Sequence, residues 1–405
     1  MKTFTKTILI VFFCNYLTVS QWQIISNQGA AAKIFFTDSI SGFSGSFTIS
    51  SKTTNGGVYW TVISNTGASM FYINSLTGWH SGFPGKIEKT TNGGSTFIVQ
   101  PTSTSEYLFD IFFINLNTGW AVGGTSTEAI LKTTNSGLNW FSQTSNSIYG
   151  LYSVYFINEF TGWATGSQFA SKIIHTTNGG INWISQTAPL NSSIFSIRFF
   201  NALTGWAVGG TNNVELIFRT TNGGINWMAQ NSPVNNGLRD CAVINLDTVF
   251  AIGLGGRIIK TTNGGTNWIS QNSLTSNDLV SIRFINSNTG FICGSNTILK
   301  TTNGGITFLN NYSGIVSGKY ELYQNYPNPF NPVTKIQYSV SETAFIRILV
   351  SDVTGKAINE FVNTNKIPGT YEMVFDASIL PSGIYFYTLF ADNITITTKR
   401  MVLLK

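Results

Sequence analysis

The sequence has 405 residues, of which 10% are charged and 42% are hydrophobic, and it carries a net charge of +6. This length predicts two or three domains, and the composition excludes a disordered chain, which combines few apolar residues with high charge. Aromatic residues make up 14% of the chain, which favours many short strands that bury rings.

The first twenty residues differ from the rest of the chain. Lys2 and Lys6 precede an apolar stretch at residues 8–13, and the small residues 18–20 suit a signal peptidase. This pattern predicts a cleaved export signal over residues 1–20. No comparable apolar run follows, so we expect no transmembrane segment after cleavage.

The predicted export signal also determines which of the three cysteines remain in the mature chain. Cleavage would remove Cys14, although a lipid anchor at Cys14 is an alternative. Cys241 and Cys293 remain, and an oxidising compartment would permit a disulfide between them. They fall in neighbouring repeats, which favours two separately buried thiols over a disulfide.

The dominant feature is a repeat. The string Lys-Thr-Thr-Asn-Gly-Gly recurs with small changes every 37 to 44 residues. Each copy follows an aromatic-rich segment and a Gly-Trp segment, so each unit holds four short strands, the content of a propeller blade. The asparagines of the seven copies are Asn55, Asn92, Asn135, Asn178, Asn222, Asn263 and Asn303.

These repeats predict an all-β chain with a seven-bladed β-propeller over residues 21–310, a solenoid being the alternative. The segment Gln21–Ile25 is similar to the Trp-led strand that ends a repeat. We therefore expect it to pair with the last blade and close the ring.

The turn of each repeat has the spacing Thr-x-Asn-x-Gly-x-x-Trp, in which Asn caps the turn and Gly supplies a positive φ. Thr133, Asn135, Gly137, Asn139 and Trp140 resemble the Asp-box of sialidase-type repeats, with Asn replacing Asp. The resemblance implies a propeller fold and carries no catalytic residue. The repeats also resemble the seven-bladed propellers related to photosystem II assembly factors.

A different composition begins near a predicted linker at residues 311–320. Alternating segments with Gly turns then predict a small, Ig-like antiparallel β-sandwich over residues 321–405. This segment resembles the type A C-terminal sorting domain of the type IX secretion system of Bacteroidetes-like bacteria. The matching residues that we assign to the sorting signal are Tyr326, Pro327, Asn328, Pro329, Gly383 and Lys405.

The resemblance implies that the secretion machinery is a partner of this domain. It also implies export through the periplasm to the outer-membrane surface or the extracellular space. An ordinary Ig-like accessory module is the alternative.

Three arginines are candidates for binding an anion. Arg198 and Arg283 occupy one repeat position in blades 5 and 7, and Arg239 lies in the first strand of blade 6. Guanidinium groups match carboxylates well, so these residues, with Asp240, form the predicted ligand-binding patch. Packing combined with solvated charge is the alternative.

A basic residue also recurs just before the Thr-Thr pair of most repeats. A ring of these residues could form a weak anion platform, or their stems could cover aromatic surface. The members are Lys52, Lys89, Lys132, Arg219, Lys260 and Lys300, with His175 at this position in the fourth repeat.

The sequence contains no recognisable catalytic constellation. No two acids of the propeller share a motif, and two histidines with two cysteines are too few for a metal site, so we expect no metal or cofactor. Clustered Lys/Arg stripes are missing, which argues against nucleic acid.

We therefore expect a non-enzymatic, exported propeller that binds a polysaccharide or a protein. An extracellular glycoside hydrolase or sialidase-like enzyme is one alternative. A structural or adhesive envelope component is the other.

Overall fold

The structure is a computed structural model that describes residues 21–26, 32–46, 49–125, 127–145, 150–166, 172–190, 192–211, 213–233, 235–305, 320–392 and 394–404. The described residues fall into two compact units, one on each side of segment 306–319. The predicted export signal and nearly all of the predicted linker lie outside the described residues.

The first unit consists of seven four-stranded antiparallel sheets, which confirms the predicted seven-bladed propeller. Six sheets contain four consecutive strands, and the seventh combines three strands with the first strand of the chain. The inner strand of each blade is the first of its consecutive strands, which in the seventh blade is the strand farthest from the N-terminal strand. Each inner strand contacts the inner strands of both neighbouring blades, so the blades close into a ring.

The strand bounds follow the repeats. The first strand and blade 1 comprise β1 (Gln23–Ser26), β2 (Lys33–Phe36), β3 (Gly42–Gly45), β4 (Ser50–Thr53) and β5 (Thr61–Ser64). Blades 2 and 3 comprise β6 (Ser69–Tyr72), β7 (Gly78–Ser81), β8 (Ile87–Thr90), β9 (Ile98–Gln100), β10 (Leu108–Phe113), β11 (Gly119–Gly123), β12 (Ala129–Thr133) and β13 (Phe141–Gln143). Blades 4 and 5 comprise β14 (Leu151–Phe156), β15 (Gly162–Gly166), β16 (Lys172–Thr176), β17 (Ile184–Thr187), β18 (Ile194–Phe199), β19 (Gly205–Thr211), β20 (Val214–Thr220) and β21 (Met228–Ala229). Blades 6 and 7 comprise β22 (Leu238–Val243), β23 (Val249–Gly253), a 3-10 turn (Leu254–Gly256), β24 (Arg257–Thr261), β25 (Ile269–Gln271), β26 (Leu279–Phe284), β27 (Gly290–Gly294) and β28 (Thr297–Thr301).

Strand β1 closes the ring as predicted. It pairs antiparallel with β28, Gln23 lying opposite Lys300. Just before it, the fully buried Trp22 donates a hydrogen bond from Nε1 to Gln271 Oε1 at 2.8 Å in the preceding blade. The outer edge of blade 7 is therefore built from both ends of the propeller sequence.

The repeated turn is held by its own side chains. Thr133 Oγ1 donates to Asn135 Oδ1 at 3.1 Å and accepts from Gly137 N at 2.9 Å, while Asn139 N donates to Asn135 Oδ1 at 2.9 Å. The same four-residue pattern recurs in blades 1, 2, 4, 5 and 6, and its first three residues recur in blade 7. The Asn carboxamide thus fills the role that a carboxylate has in an Asp-box.

The turns of blades 2 to 7 also accept hydrogen bonds from the blade before them. Lys132 Nζ and Gln143 Nε2 both donate to the carbonyl of Gly179, at 2.9 and 3.1 Å, and Lys132 lies over the Trp120 ring at 5.1 Å. Gly180 adopts φ +91°, and a Cβ there would lie 2.0 Å from Gln143 Oε1. The recurring basic residues therefore cover aromatic rings and join blades, which accounts for their period without an anion platform.

The second unit is an antiparallel β-sandwich, as predicted. One sheet contains β29 (Glu321–Leu322), β30 (Val333–Val340) and β33 (Gly369–Asp376). The other contains β31 (Ala344–Ser351), β32 (Ala357–Lys366), β34 (Gly383–Ala391) and β35 (Ile394–Leu403). Alternating residues of both sheets form one core, which includes Ile336, Ile348 and Leu389.

We predict that Gly180→Ala lowers the free energy of unfolding of the propeller by at least about 2 kcal/mol. An alanine there must adopt a positive φ and displace Gln143. Urea denaturation followed by tryptophan fluorescence measures this change, because all ten tryptophans lie between residues 22 and 268.

Gly255→Ala is the matched control. Gly255 also has a positive φ, +66°, but a Cβ there would meet its nearest neighbour at an ordinary 3.4 Å. The double variant Gly180→Ala, Gln143→Ala should recover part of the loss. Equal losses at Gly180 and Gly255 would show that contact between the blades contributes nothing.

Candidate binding site in the central channel

The inner strands line the axis of the propeller, and those of blades 3 to 7 contain a bulge at the same position. In blade 3, Leu108 lies opposite Gly123 and Asp110 lies opposite Val122, so Phe109 is an extra residue. Equivalent bulges occur in blades 4 to 7. A bulge redirects the side chain at that position, here to the end of the channel away from the repeated turns. We call the end that carries the turns the turn face and the other end the loop face.

The residue after the bulge position forms a polar layer across the channel. This layer contains two carboxylates, one amine and four hydroxyls, each from a different blade. Its members are Lys33, Ser69, Asp110, Ser153, Ser196, Asp240 and Ser281.

Asp110 connects four blades. Its Oδ1 accepts hydrogen bonds from Lys33 Nζ at 3.0 Å and Ser69 Oγ at 2.9 Å. Its Oδ2 accepts from Ser153 Oγ at 3.3 Å and from the backbone N–H of Val154 at 3.1 Å. Burial alone would raise the pKa of this carboxyl, but Lys33 and Arg198 outweigh burial and the pKa lies below its ordinary value. Asp110 is therefore a carboxylate whose two oxygens are fully engaged.

Asp240 connects three blades on the other side of the channel. Its Oδ1 accepts from Ser196 Oγ at 2.6 Å, from Arg198 Nη2 at 3.3 Å and from the adjacent Cys241 N–H at 2.9 Å. Its Oδ2 accepts from Ile282 N at 3.1 Å. Blades 5, 6 and 7 are joined through this one side chain.

Two further contacts link the blades joined by Asp110 to those joined by Asp240. Arg198 Nη1 donates to Ser153 Oγ at 3.1 Å, which links blades 5 and 4, and Ile34 N donates to Ser281 Oγ at 3.3 Å, which links blades 1 and 7. The polar layer is thus a closed set of contacts around the channel. The sequence did not reveal it as a unit, because the seven positions carry three different residue types.

Two residues further along each inner strand, toward the turn face, a second layer of seven side chains surrounds the channel. Adjacent rings of blades 1 to 4 have centroids 5.2 to 5.3 Å apart. The four aromatic residues, Phe35, Phe71, Phe112 and Tyr155, form what we call the aromatic crescent. Arg198 lies over the Tyr155 ring at 6.0 Å at one end of the crescent, and Arg283 lies over the Phe35 ring at 4.3 Å at the other end. The members of this second layer are Phe35, Phe71, Phe112, Tyr155, Arg198, Ala242 and Arg283.

The second layer has a gap at blade 6, where the small side chain of Ala242 lies between the two arginines. These residues line a cavity of about 180 Å³ at the turn face. Arg198 is neutralised by Asp240. Arg283 is exposed and, within the described part of the chain, donates no hydrogen bond to a carboxylate. The cavity therefore combines apolar walls with a guanidinium that is available to an anion.

Arg239 lies apart from Arg283. It occupies the bulge position of blade 6 and lines a separate cavity at the loop face, where it covers the Phe195 ring at 4.2 Å. Arg198 and Asp240 line both cavities, whereas Arg283 lines only the turn-face cavity and Arg239 lines only the loop-face cavity. A cluster of three arginines, as in sialidases, is not formed.

The two cysteines of the propeller are free and fully buried. Cys241 Sγ lies 3.7 Å from Ser196 Oγ, and burial raises the pKa of the Cys241 thiol to about 12. Burial also raises the pKa of Cys293. Both are inert thiols, and the alternative disulfide is absent.

Two further titratable residues, His80 and Glu215, have strongly shifted pKa values. His80 is fully buried, bonded to Ser50 Oγ at 3.1 Å and to Tyr72 OH at 2.8 Å, and burial lowers its pKa to about 3. Burial raises the pKa of Glu215 to about 7, but Glu215 lines neither channel cavity. Among the described residues, no three His, Cys, Asp or Glu side chains could hold a metal ion.

The predicted sorting-signal residues lie in the second unit. Tyr326 is 80% exposed, and both Tyr326–Pro327 and Asn328–Pro329 are cis peptides. Asn328 Oδ1 accepts from Val402 N at 2.9 Å, which joins this segment to the last strand, and Gly383 begins β34. Lys405 lies outside the described residues.

Two segments of the chain match known families. Residues 324–403 match the secretion system C-terminal sorting domain, and residues 95–234 match the photosystem II assembly factor YCF48 family. The C-terminal unit is thus a sorting domain of type IX secretion, and the chain is exported to the cell surface or the extracellular space. Within the described residues, no helix is long and apolar enough to cross a membrane.

Several solved structures share the fold. A structure described as YCF48 bound to D1 peptide is 20% identical, with a TM-score of 0.59, and the match covers 70% of this chain and 96% of that one. PorZ of Porphyromonas gingivalis, described as an essential surface component of the type-IX secretion system, is 12% identical with a TM-score of 0.54, over 93% of this chain and 59% of that one.

A xyloglucanase of family GH74 from Xanthomonas campestris is 9% identical with a TM-score of 0.58, over 70% of this chain and 53% of that one. No curated protein matches the sequence. At these identities the likeness concerns the fold alone.

We predict that Asp110→Asn lowers the free energy of unfolding by about 3 kcal/mol at pH 7, because it leaves the Lys33 ammonium without its buried counter-charge. The lowered pKa means that the ionised carboxylate stabilises the fold above about pH 4 and that this contribution is lost as the pH falls through the folded-state pKa. The difference between wild type and variant should therefore shrink below about pH 4 in urea denaturation.

Asp247→Asn provides the control, since Asp247 is an exposed residue of blade 6. It should change stability by less than about 0.5 kcal/mol. A loss at Asp110 that stays constant down to pH 3 would contradict an electrostatic role for this carboxylate.

Proposed function

We propose that this chain is a non-enzymatic binding protein of the cell surface whose turn-face cavity receives the carboxylate of a peptide. The export signal would carry it across the inner membrane, and the sorting domain would engage the secretion machinery. The observation that supports the binding role is the pairing of an exposed Arg283 with the gap at Ala242, beside a crescent of aromatic rings.

The size of the cavity favours a peptide over a polysaccharide at this end. A volume of about 180 Å³ accommodates one side chain or one terminal residue, whereas pockets for larger ligands run from about 300 Å³ upward. An apolar terminal residue would contact the Phe35, Phe71 and Phe112 rings while its carboxylate meets the guanidinium of Arg283. The similar fold described as YCF48 bound to D1 peptide supports a peptide ligand.

Glycoside hydrolysis is the second candidate, because two carboxylates do lie in the channel and a xyloglucanase shares the fold. Hydrolysis needs one carboxyl that holds a proton and another that can reach a water or the sugar. The lowered pKa of Asp110 keeps it ionised, and the oxygens of both carboxylates are occupied by protein donors. These contacts favour binding over catalysis.

We predict that the full chain distinguishes a free peptide terminus from an amidated one. The probe is a fluorescein-labelled hexapeptide ending in Leu-Phe, with either a free carboxylate or a C-terminal amide, followed by fluorescence anisotropy. The free acid should bind at least about tenfold more tightly, because a charge-assisted hydrogen bond contributes about 1.5–3 kcal/mol. Arg283→Gln should abolish this preference.

Arg257→Gln is the matched control, since Arg257 is an exposed arginine of blade 6 that lines neither cavity. It should leave the preference for the free acid unchanged. Equal binding of the acid and the amide by wild type, or an undiminished preference in Arg283→Gln, would refute the proposal.

A further inference from the structure

A row of five aromatic rings crosses the loop face. Phe83 stacks on Tyr107 with centroids 4.2 Å apart, and Tyr107 lies parallel to Phe109 at 5.8 Å. Phe109 meets Tyr152 edge-on at 5.6 Å, and Tyr152 stacks on Phe195 at 5.3 Å. The row is continuous over blades 2 to 5, and Phe83 at its outer end is 53% exposed.

The inner-strand bulge produces this row. Phe109, Tyr152 and Phe195 occupy the bulge position of blades 3, 4 and 5, so their side chains line the mouth of the channel instead of the core between blades. The corresponding residues of blades 1, 2 and 7 are the smaller Ala32, Ala68 and Val280. The mouth therefore has one aromatic wall and one open side, which together form a trough.

Arg239 stands at the end of the row. It occupies the bulge position of blade 6 and covers the Phe195 ring at 4.2 Å. Its Nη1 is a buried atom that has no hydrogen-bond acceptor among the described residues. Arg239 as a whole is only partly buried and lines the loop-face cavity, so an anionic group in the trough can pair with its guanidinium there.

We propose that this trough binds an acidic polysaccharide, a polyuronate, with sugar rings against the aromatic row and a carboxylate at Arg239. Aromatic side chains offer flat apolar faces with a polar edge, which suits the C–H faces of sugar rings. The row runs across the ends of strands and not along a strand edge, so an extended peptide finds no backbone ladder there. The site is separated from the turn-face cavity by the polar layer and does not depend on it.

Affinity gel electrophoresis of the full chain tests the proposal, with polygalacturonate in the gel and dextran as the neutral reference. Polygalacturonate should retard wild type and dextran should not. Tyr152→Ala and Phe83→Ala should each weaken retardation about tenfold, the scale of an aromatic anchor, and Arg239→Gln should remove the preference for the acidic polymer. Phe83 is an exposed loop residue, so its replacement tests binding even if Tyr152→Ala does not fold.

Phe160→Ala is the matched control, because Phe160 is a 63% exposed aromatic residue on the turn face. It should leave retardation unchanged, as should Arg283→Gln, which separates this site from the proposed peptide site. The proposal is overturned if wild type is not retarded or if Phe160→Ala weakens binding as much as Phe83→Ala. It is also overturned if a proline-rich peptide, and not polygalacturonate, binds the trough.

Discussion

The propeller depends on two buried carboxylates that reach across blade boundaries. Asp110 and Asp240 are each about 4% exposed, and a charge so buried is tolerated only when it is paired and hydrogen-bonded. Each carboxylate therefore recruits a cation, Lys33 or Arg198, together with serine hydroxyls and backbone N–H groups of other blades. Hydrophobic packing between blades is non-directional, whereas these contacts fix the position of the inner strands.

This constraint shapes the chemistry of the channel. Carboxylates whose oxygens are occupied cannot bind a catalytic water, and a lowered pKa at Asp110 makes it a poor proton donor. The polar layer also divides the channel into two mouths with different linings. One mouth is lined by Arg283 and the aromatic crescent, and the other is lined by Arg239 and the aromatic row.

The repeated turn and the number of blades could be predicted from the sequence, because they depend on residues within one repeat. Thr133, Asn135 and Gly137 interact over five residues, and their spacing recurs seven times. Closure by β1 was also predictable, since a Trp-led strand is visible at the start of the chain. The sorting domain carries its own local motifs, such as Tyr326 to Pro329.

The site was harder to predict, because its contacts join residues 40 or more positions apart. Lys33 and Asp110 are 77 residues apart, and nothing local in either repeat marks them as partners. Arg239 lies three residues before Ala242, the blade 6 counterpart of Arg198 and Arg283, and it occupies the bulge position at the loop face. A bulge redirects the side chain at its position, which motif spacing alone does not reveal.

A crystal structure of the chain with the Leu-Phe peptide would test the central claim most directly, namely that the channel binds ligands while its carboxylates hold the blades. The account predicts the peptide carboxylate within hydrogen-bond distance of Arg283. It also predicts that Asp110 and Asp240 keep their contacts to Val154 and Ile282. A ligand bound directly to either carboxylate, or an Asp240 that has released Arg198 and Ile282, would contradict the account.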